Sequence, residues 1–372
     1  MAKAARTNKK PARTAPTPPP RPPVRGPVRV HPGVWTHQHL LALQGLDRDE
    51  MLALLRRARY FERECPASAA STLSGRIVAN LFFEDSTRTR MSFSLAAKRL
   101  GAEVVDLSSS DSSVNKGETI RDTAANVAAM GAHAMVIRHR ASGAAALVAR
   151  ATGEAFGVCV INAGDGRHEH PTQGLLDAYT IAESFDRLAD FDLAGLTIAI
   201  VGDVGSSRVA RSDIAVMTAL GAKVICIGPP GLVPRSLETL GCSVSHELDP
   251  LIDKVDAVNV LRIQFERHAA GSKGPGEGRS SDRIGGASLA RPNAVASLRE
   301  YTDLYGLSLR RIDRMKPAAV ILHPGPINRG VEMTAAVADG HRSVVLKQVG
   351  HGVAVRMAAL DLCLSVPRRS VG

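Results

Sequence analysis

From residue 77 onward, the apolar positions of this chain fall into two alternating patterns. Short, branched runs at 77–83, 103–107, 134–137 and 158–162 read as buried strands. Between them the spacing turns helical: 91–100 places Phe93, Ala96, Ala97 and Leu100 on one face, and 119–130 and 144–151 behave alike. An earlier helix over 47–59 is marked by Leu46, Met51, Leu52 and Leu55, and a longer one from Gln173 to about Phe185 closes the series. A second series follows, with strands at 197–201, 223–227, 257–260 and 319–322, a helix over 208–220 and a final helix over 344–366. Alternation of this kind predicts an α/β protein: two doubly wound parallel-sheet domains joined by long helices. No internal repeat is evident beyond it.

The chemistry concentrates where the first strand ends. Phe83-Glu84-Asp85-Ser86-Thr87-Arg88-Thr89-Arg90 sets hydroxyls and guanidiniums side by side at a strand-to-helix turn. There the open N–H groups and the positive end of the helix dipole both favour an anion. Arginine adds paired hydrogen bonds to phosphate that lysine does not offer. A lone Ser-Thr would read as an ordinary helix cap. Ser-Thr-Arg-Thr-Arg after a buried strand reads as an anion site.

These residues carry a resemblance to a known family. F-x-E-x-S-T-R-T-R resembles the carbamoyl-phosphate motif of the aspartate and ornithine carbamoyltransferases. Further segments match in the family's order: Ser113-Val114-Asn115-Lys116-Gly117-Glu118, Val136-Ile137-Arg138-His139, His170-Pro171-Thr172-Gln173, Gly202-Asp203 through Arg208, Arg262-Ile263-Gln264, and His323-Pro324-Gly325-Pro326. The likeness spans roughly Trp35 to Val366. With the basic tail (1–34) outside it, the likeness implies a carbamoyl-phosphate-binding domain (35–180), an aspartate-binding domain (181–343) and a C-terminal helix (344–372) that packs on the first domain.

The resemblance also implies roles. Ser86, Thr87, Arg88 and Thr89 would hold the phosphate, Thr89, Arg138 and His170 would surround the carbonyl oxygen, and Gln173 with the backbone carbonyl of Pro324 would contact the carbamoyl amino group. Lys116, Arg208, Arg262 and Gln264 would bind the amino acid, with Ser113 and Lys116 donated by a neighbouring subunit of a homotrimer with shared active sites. Carbamoyl transfer needs a neutral amine to attack a carbonyl whose leaving group is phosphate. His170 would serve as an electrophilic donor, because the departing phosphate can itself take the amine's proton. Taken singly, His170 could be a satisfied core histidine, Arg138 a surface ion pair and the Gly202 turn one of many such turns.

Within the family the chain points to aspartate. Ornithine enzymes carry an H-C-L-P motif and an S-M-G segment; here the first reads His323-Pro324-Gly325-Pro326 and no Ser-Met-Gly occurs. Arg208 and Arg262 suit two carboxylates, and Arg262 would repel an ornithine ammonium. The implied products are N-carbamoyl-L-aspartate and phosphate, in de novo pyrimidine biosynthesis. Two alternatives stand beside this: a carbamoyltransferase for another amino acid, and a non-catalytic paralogue scaffolding a partner such as dihydroorotase. A regulatory chain or dihydroorotase is a possible partner of the trimer, and no cofactor or metal is implied. Two departures are visible: Ser94 stands where the family often has Glu, and the Ser112-Ser113 repeat leaves open which serine meets phosphate.

Composition adjusts this picture at the margins. A chain of 372 residues, 44% hydrophobic, can core two domains. Its net charge of +11 suggests nucleic acid, yet Lys3, Arg6, Lys9, Lys10, Arg13, Arg21, Arg25 and Arg29 all precede Trp35, and without them the charge is +3. A nucleic-acid footprint would be confined to that tail. With Pro18-Pro19-Pro20-Arg21-Pro22-Pro23 the tail is expected to be extended and disordered; its prolines argue against an amphipathic transit peptide, and a solvated tail is favoured over a docking arm. Cys65, Cys159, Cys226, Cys242 and Cys363 show no C-x-x-C pair, which fits a reducing compartment and gives no zinc site. No run approaches the ~20 apolar residues of a membrane span, so the expected location is cytoplasmic. Gly271, Gly274, Gly276, Gly278, Gly285 and Gly286 fall in a stretch with hardly an apolar residue, expected to be a lid carrying a disordered insert.

Overall fold

The computed structural model describes residues 35–63, 67–108, 118–263 and 297–366. The expectations for the tail, for Ser113 and Lys116, for Gln264 and for the glycine-rich insert concern residues outside these ranges.

Two parallel sheets form the chain, as the alternation predicts. The first has the order β2-β1-β3-β4, with β1 Ile77–Phe82, β2 Glu103–Ser108, β3 Ala134–His139 and β4 Cys159–Asp165. The second has the order β7-β6-β5-β8-β9, with β5 Thr197–Val201, β6 Lys223–Ile227, β7 Ser243–Ser245, β8 Ala257–Val260 and β9 Val320–Leu322. Every pairing is parallel. Helices cover both faces, so β1, β4 and β8 are buried almost throughout, and their sequences are largely apolar, broken only by buried Asn80, Asn162, Asp165 and Asn259, where one-sided sheets would alternate.

The helices are α1 Arg48–Arg63, α2 Thr87–Arg99, α3 Ile120–Ala129, α4 Ala144–Phe156, α5 Pro171–Ser184, α6 Arg208–Ala219, α7 Leu298–Tyr305, the short α8 Leu309–Ile312 and α9 Ala335–Ala338, and α10 Val345–Ser365. Residues 171–182 of α5 are buried on every side, as befits a helix wedged between others. It packs on α6 and α10, and α10 also packs on α1 and α2. An ion pair fastens α1 to α10, Arg57 Nε to Asp361 Oδ2 at 2.6 Å.

The structure corrects several boundaries. Helix α2 begins at Thr87, so Thr87, Arg88 and Thr89 form its first turn; apolar periodicity starts only at Phe93, and the polar turn before it gave no signal. Strand β4 runs on to Asp165 because its neighbour β3 extends to His139, and helix α4 continues through Thr152 and Gly153 to Phe156. Strand β7 and helices α7, α8 and α9 were not expected: they are short, and β7 is only Ser-Val-Ser at a sheet edge.

Strand order decides where ligands can bind. In the first sheet the chain goes one way from β1 to β2 and the other way to β3; in the second, β5 is flanked by β6 and β8. Such reversals open a crevice at the carboxyl ends of the strands. The predicted site residues lie there: Ser86 beyond β1, Arg138 at the end of β3, Arg208 beyond β5 and Arg262 beyond β8.

Candidate active site

One cleft of about 580 Å³ collects these four termini. Ser86, Thr87, Arg88, Thr89, Arg138, His170, Gln173, Arg208, Arg262 and Pro324 all line it, so every predicted site residue that the structure describes is in one place. Its volume is in the range usual for small-molecule sites, ~300–1,000 Å³.

The anion end is built from the start of α2. Thr119, Ser207, Ser297 and Thr334 each cap their own helices through a side-chain oxygen, but N-cap Ser86 makes no such bond. Its Oγ instead donates to Thr89 Oγ1 at 3.0 Å. No acidic residue occupies the first turn of α2, whereas α1 carries Asp49 and Glu50 there and α3 carries Asp122. A helix start without cap or acid is suited to a phosphate. Arg88 crosses to the 323–326 segment and lies against Gly325, at φ 66°, where a Cβ would collide with its guanidinium. Burial lowers the Arg88 pKa from its usual value.

Arg138 and Arg208 meet on one carboxylate. Arg138 Nη2 donates to Glu84 Oε1 at 3.0 Å and Arg208 Nη1 to Glu84 Oε2 at 3.1 Å, with a second Arg208 contact to Oε1. Arg138 Nη1 also donates to the carbonyl of Ala163 at 3.1 Å. Glu84 thereby joins the end of β1 to the start of α6, across the two sheets. Gly164, at φ 113°, makes the space: a Cβ there would stand 2.9 Å from Arg208 Nε and 3.1 Å from Arg138 Nη1. Although Glu84 belongs to the recognised motif, its part was invisible in the sequence, since its two partners lie 54 and 124 residues away.

His170 is the N-cap of α5 and is 4% exposed. Its backbone N–H donates to Ser212 Oγ at 3.0 Å, and Ser212 Oγ donates to Glu169 Oε2 at 2.8 Å. Burial, and then the charges of Arg138, Arg356 and Arg208, push its pKa well below 6.5, so the imidazole is neutral. A neutral imidazole keeps one N–H to donate and releases no proton to a nearby anion. Its Nδ1 has no hydrogen-bond partner among the described residues.

Arg356 also lines the cleft and was missed. It is buried in α10, 5.2 Å over the Phe93 ring, and burial lowers its pKa to about 10. Its signal was available as a lone arginine within the apolar stretch Ala354 to Leu360. Gln348 is likewise buried at the cleft wall.

Two parallel sheets, an uncapped helix start and a row of arginines define a two-lobed α/β enzyme for anionic substrates. The chain belongs to the aspartate/ornithine carbamoyltransferase family: the carbamoyl-P binding domain matches residues 38–183 and the Asp/Orn binding domain matches 194–363. The aspartate carbamoyltransferase catalytic subunit of Myxococcus xanthus is 49% identical over 328 residues, covering 88% of this chain and 99% of the relative. That of Thermobifida fusca is 46% identical, covering 88% and 95%. Among solved structures, aspartate transcarbamoylase from Trypanosoma cruzi in complex with carbamoyl phosphate and aspartate superposes with a TM-score of 0.71 at 28% identity, over 88% of this chain and 97% of that one. Ornithine carbamoyltransferase from Thermus thermophilus gives the same score at 25% identity, over 88% and 99%.

Proposed function

We propose that this chain is an aspartate carbamoyltransferase, moving the carbamoyl group of carbamoyl phosphate to L-aspartate and releasing N-carbamoyl-L-aspartate and phosphate, a step of pyrimidine biosynthesis. The observation that carries this is the convergence of Arg88, Arg138, Arg208, Arg262 and a neutral His170 on one cleft. Relatives of 46–49% identity bearing that activity in their names support it.

In this reading the phosphate sits at the start of α2, bound by Ser86, Thr87, Arg88 and Thr89. Thr89, Arg138 and His170 donate to the carbonyl oxygen, where negative charge grows as the amine attacks. Gln173 and the Pro324 carbonyl accept from the carbamoyl amino group. Arg208 takes the α-carboxylate of aspartate, and Arg262 with Gln264 the side-chain carboxylate. As the carbon–nitrogen bond forms, the carbon–oxygen bond to phosphate breaks, and the departing phosphate takes the amine's proton. Ser113 and Lys116 enter from a neighbouring subunit, which makes a homotrimer the active form. A division at residues 35–180 and 181–343 accords with sheet membership, the packing of α10 on α1 and α2 with a return of 344–372 to the first unit, and a cytoplasmic location with this metabolic role. Among the described residues no helix is long and apolar enough to cross a membrane.

A steady-state assay of the full chain with carbamoyl phosphate and L-aspartate, with L-ornithine as control and mass measured in native solution, tests this. Carbamoyl-aspartate formation by a species of trimer mass is the expected result. Turnover of ornithine, or of neither amino acid, would overturn it.

A further inference from the structure

Three elements converge on the carboxylate of Asp177. It lies one helical turn after Gln173 on α5, and Gln173 Nε2 donates to its Oδ1 at 2.9 Å. From α10, Gln348 Nε2 donates to the same oxygen at 2.7 Å. From β8, Asn259 Nδ2 reaches Asp177 Oδ2 at 3.2 Å and Asp213 Oδ2, on α6, at 2.8 Å. Asp177, Asn259 and Asp213 are all fully buried. A carboxylate placed so deep persists because donors surround it.

An amide has a donor end and an acceptor end, so fixing one fixes the other. With Nε2 held by Asp177, Gln173 has its Oε1 left to accept. Gln348 is fixed the same way, and its Oε1 accepts the backbone N–H of His323 at 2.9 Å, next to Pro324. One carboxylate thus governs a side-chain oxygen directly and a stretch of backbone through a single intermediary. In the reading given above, on which this step rests, Gln173 and the Pro324 carbonyl are the two contacts to the carbamoyl amino group. That group only donates, so both contacts must present oxygen.

The geometry points to Asp177 as the positioning residue that makes the site selective for the carbamoyl amino group: it fixes the Gln173 amide and, through Gln348, the 323–324 backbone, so that both turn oxygen toward the NH2. Asp177 itself touches no substrate. Acetyl phosphate has the same phosphate and carbonyl with a methyl in place of the amino group, and would leave both oxygens without a donor. A site built around such oxygens rejects the analogue that lacks the N–H groups. Removing Asp177 lets the Gln173 amide turn and relaxes that rejection.

The test compares the two acyl phosphates in the full-length protein. The readout is the ratio of the inhibition constant of acetyl phosphate to the KM of carbamoyl phosphate, at saturating L-aspartate. The wild type should favour carbamoyl phosphate, and Asp177→Ala should reduce the preference about tenfold, with kcat falling and the KM for aspartate changing less than about threefold. Should thermal melting show that Asp177→Ala does not fold, Asp177→Asn keeps the volume while removing the charge that holds two amides at once. Its preference should fall about threefold in the same direction. A folded variant with wild-type preference overturns the role of Asp177 alone, as does one in which aspartate binding suffers most. A wild type that forms no carbamoyl-aspartate overturns the reaction assignment, and this inference with it.

Discussion

At the residue scale the cleft is organised by guanidiniums that differ in their surroundings. Arg88 is partly desolvated and lies against Gly325, while Arg138 and Arg208 are held by Glu84. A phosphate arriving at the start of α2 would draw on Arg88, so Arg88→Ala should lower kcat/KM by roughly 2–4 kcal/mol in transition-state terms while leaving the melting temperature within a few degrees. Near-normal turnover at saturating carbamoyl phosphate would remove Arg88 from the phosphate site. Arg262 lies at the opposite lobe, beyond β8. Its replacement by alanine should raise the KM for aspartate at least about tenfold and that for carbamoyl phosphate far less, because a charge-assisted bond to a carboxylate is lost. Initial-rate measurements varying each substrate separate the two constants, and equal changes in both would reject the assignment.

At the element scale, α5 and α6 meet through a pair of buried acids. Burial raises the pKa of Asp177 to about 6, even though Gln348, Asp213, Gln173 and Asn259 all hydrogen-bond to it. Burial and the facing charge of Asp177 raise Asp213 well above 3.8. Two carboxyls this close share a proton, and Asp213 keeps it. The sign follows from linkage: the folded chain binds a proton that the unfolded chain gives up above about pH 4, so this contribution is complete below that pH and erodes as pH rises through the folded values. Asparagine at 213 would supply an N–H to Asp177 without taking up a proton. Asp213→Asn should therefore stabilise the protein more at pH 8 than at pH 5, by about 1–3 kcal/mol. Thermal melts of both proteins at the two pH values read this out, and a pH-independent difference would contradict the shared proton.

At the scale of the whole molecule, the proposal that Lys116 serves a neighbouring subunit predicts complementation. Lys116→Ala and Arg88→Ala homotrimers should each be strongly impaired. Mixing the two chains should restore activity, because some interfaces then unite an unaltered Lys116 with an unaltered Arg88. A closed ring of head-to-tail contacts permits this, and a site built within one chain does not. Mixed trimers, verified by mass and as impaired as their parents, would place Lys116 in its own subunit's site or in none.

The sequence alone determined the α/β class, the position along the chain of most strands and the identity of many of the residues on the cleft. Apolar runs, helical spacing and local motifs are properties of neighbouring residues, and the four arginines at strand ends could be read one motif at a time. What only the tertiary structure decided is who meets whom. Glu84 finds Arg138 and Arg208, Arg356 reaches the cleft from near the far end of the chain, and Asp177 gathers Gln173, Gln348 and Asn259 from three elements. Cys226 and Cys242, scattered in sequence, come to 3.5 Å. Such pairings carry no periodicity, since they arise when strand order brings distant residues to the same crevice. They are buried and polar, and in a low-dielectric interior polar groups require partners. Those partners can come from anywhere the chain returns.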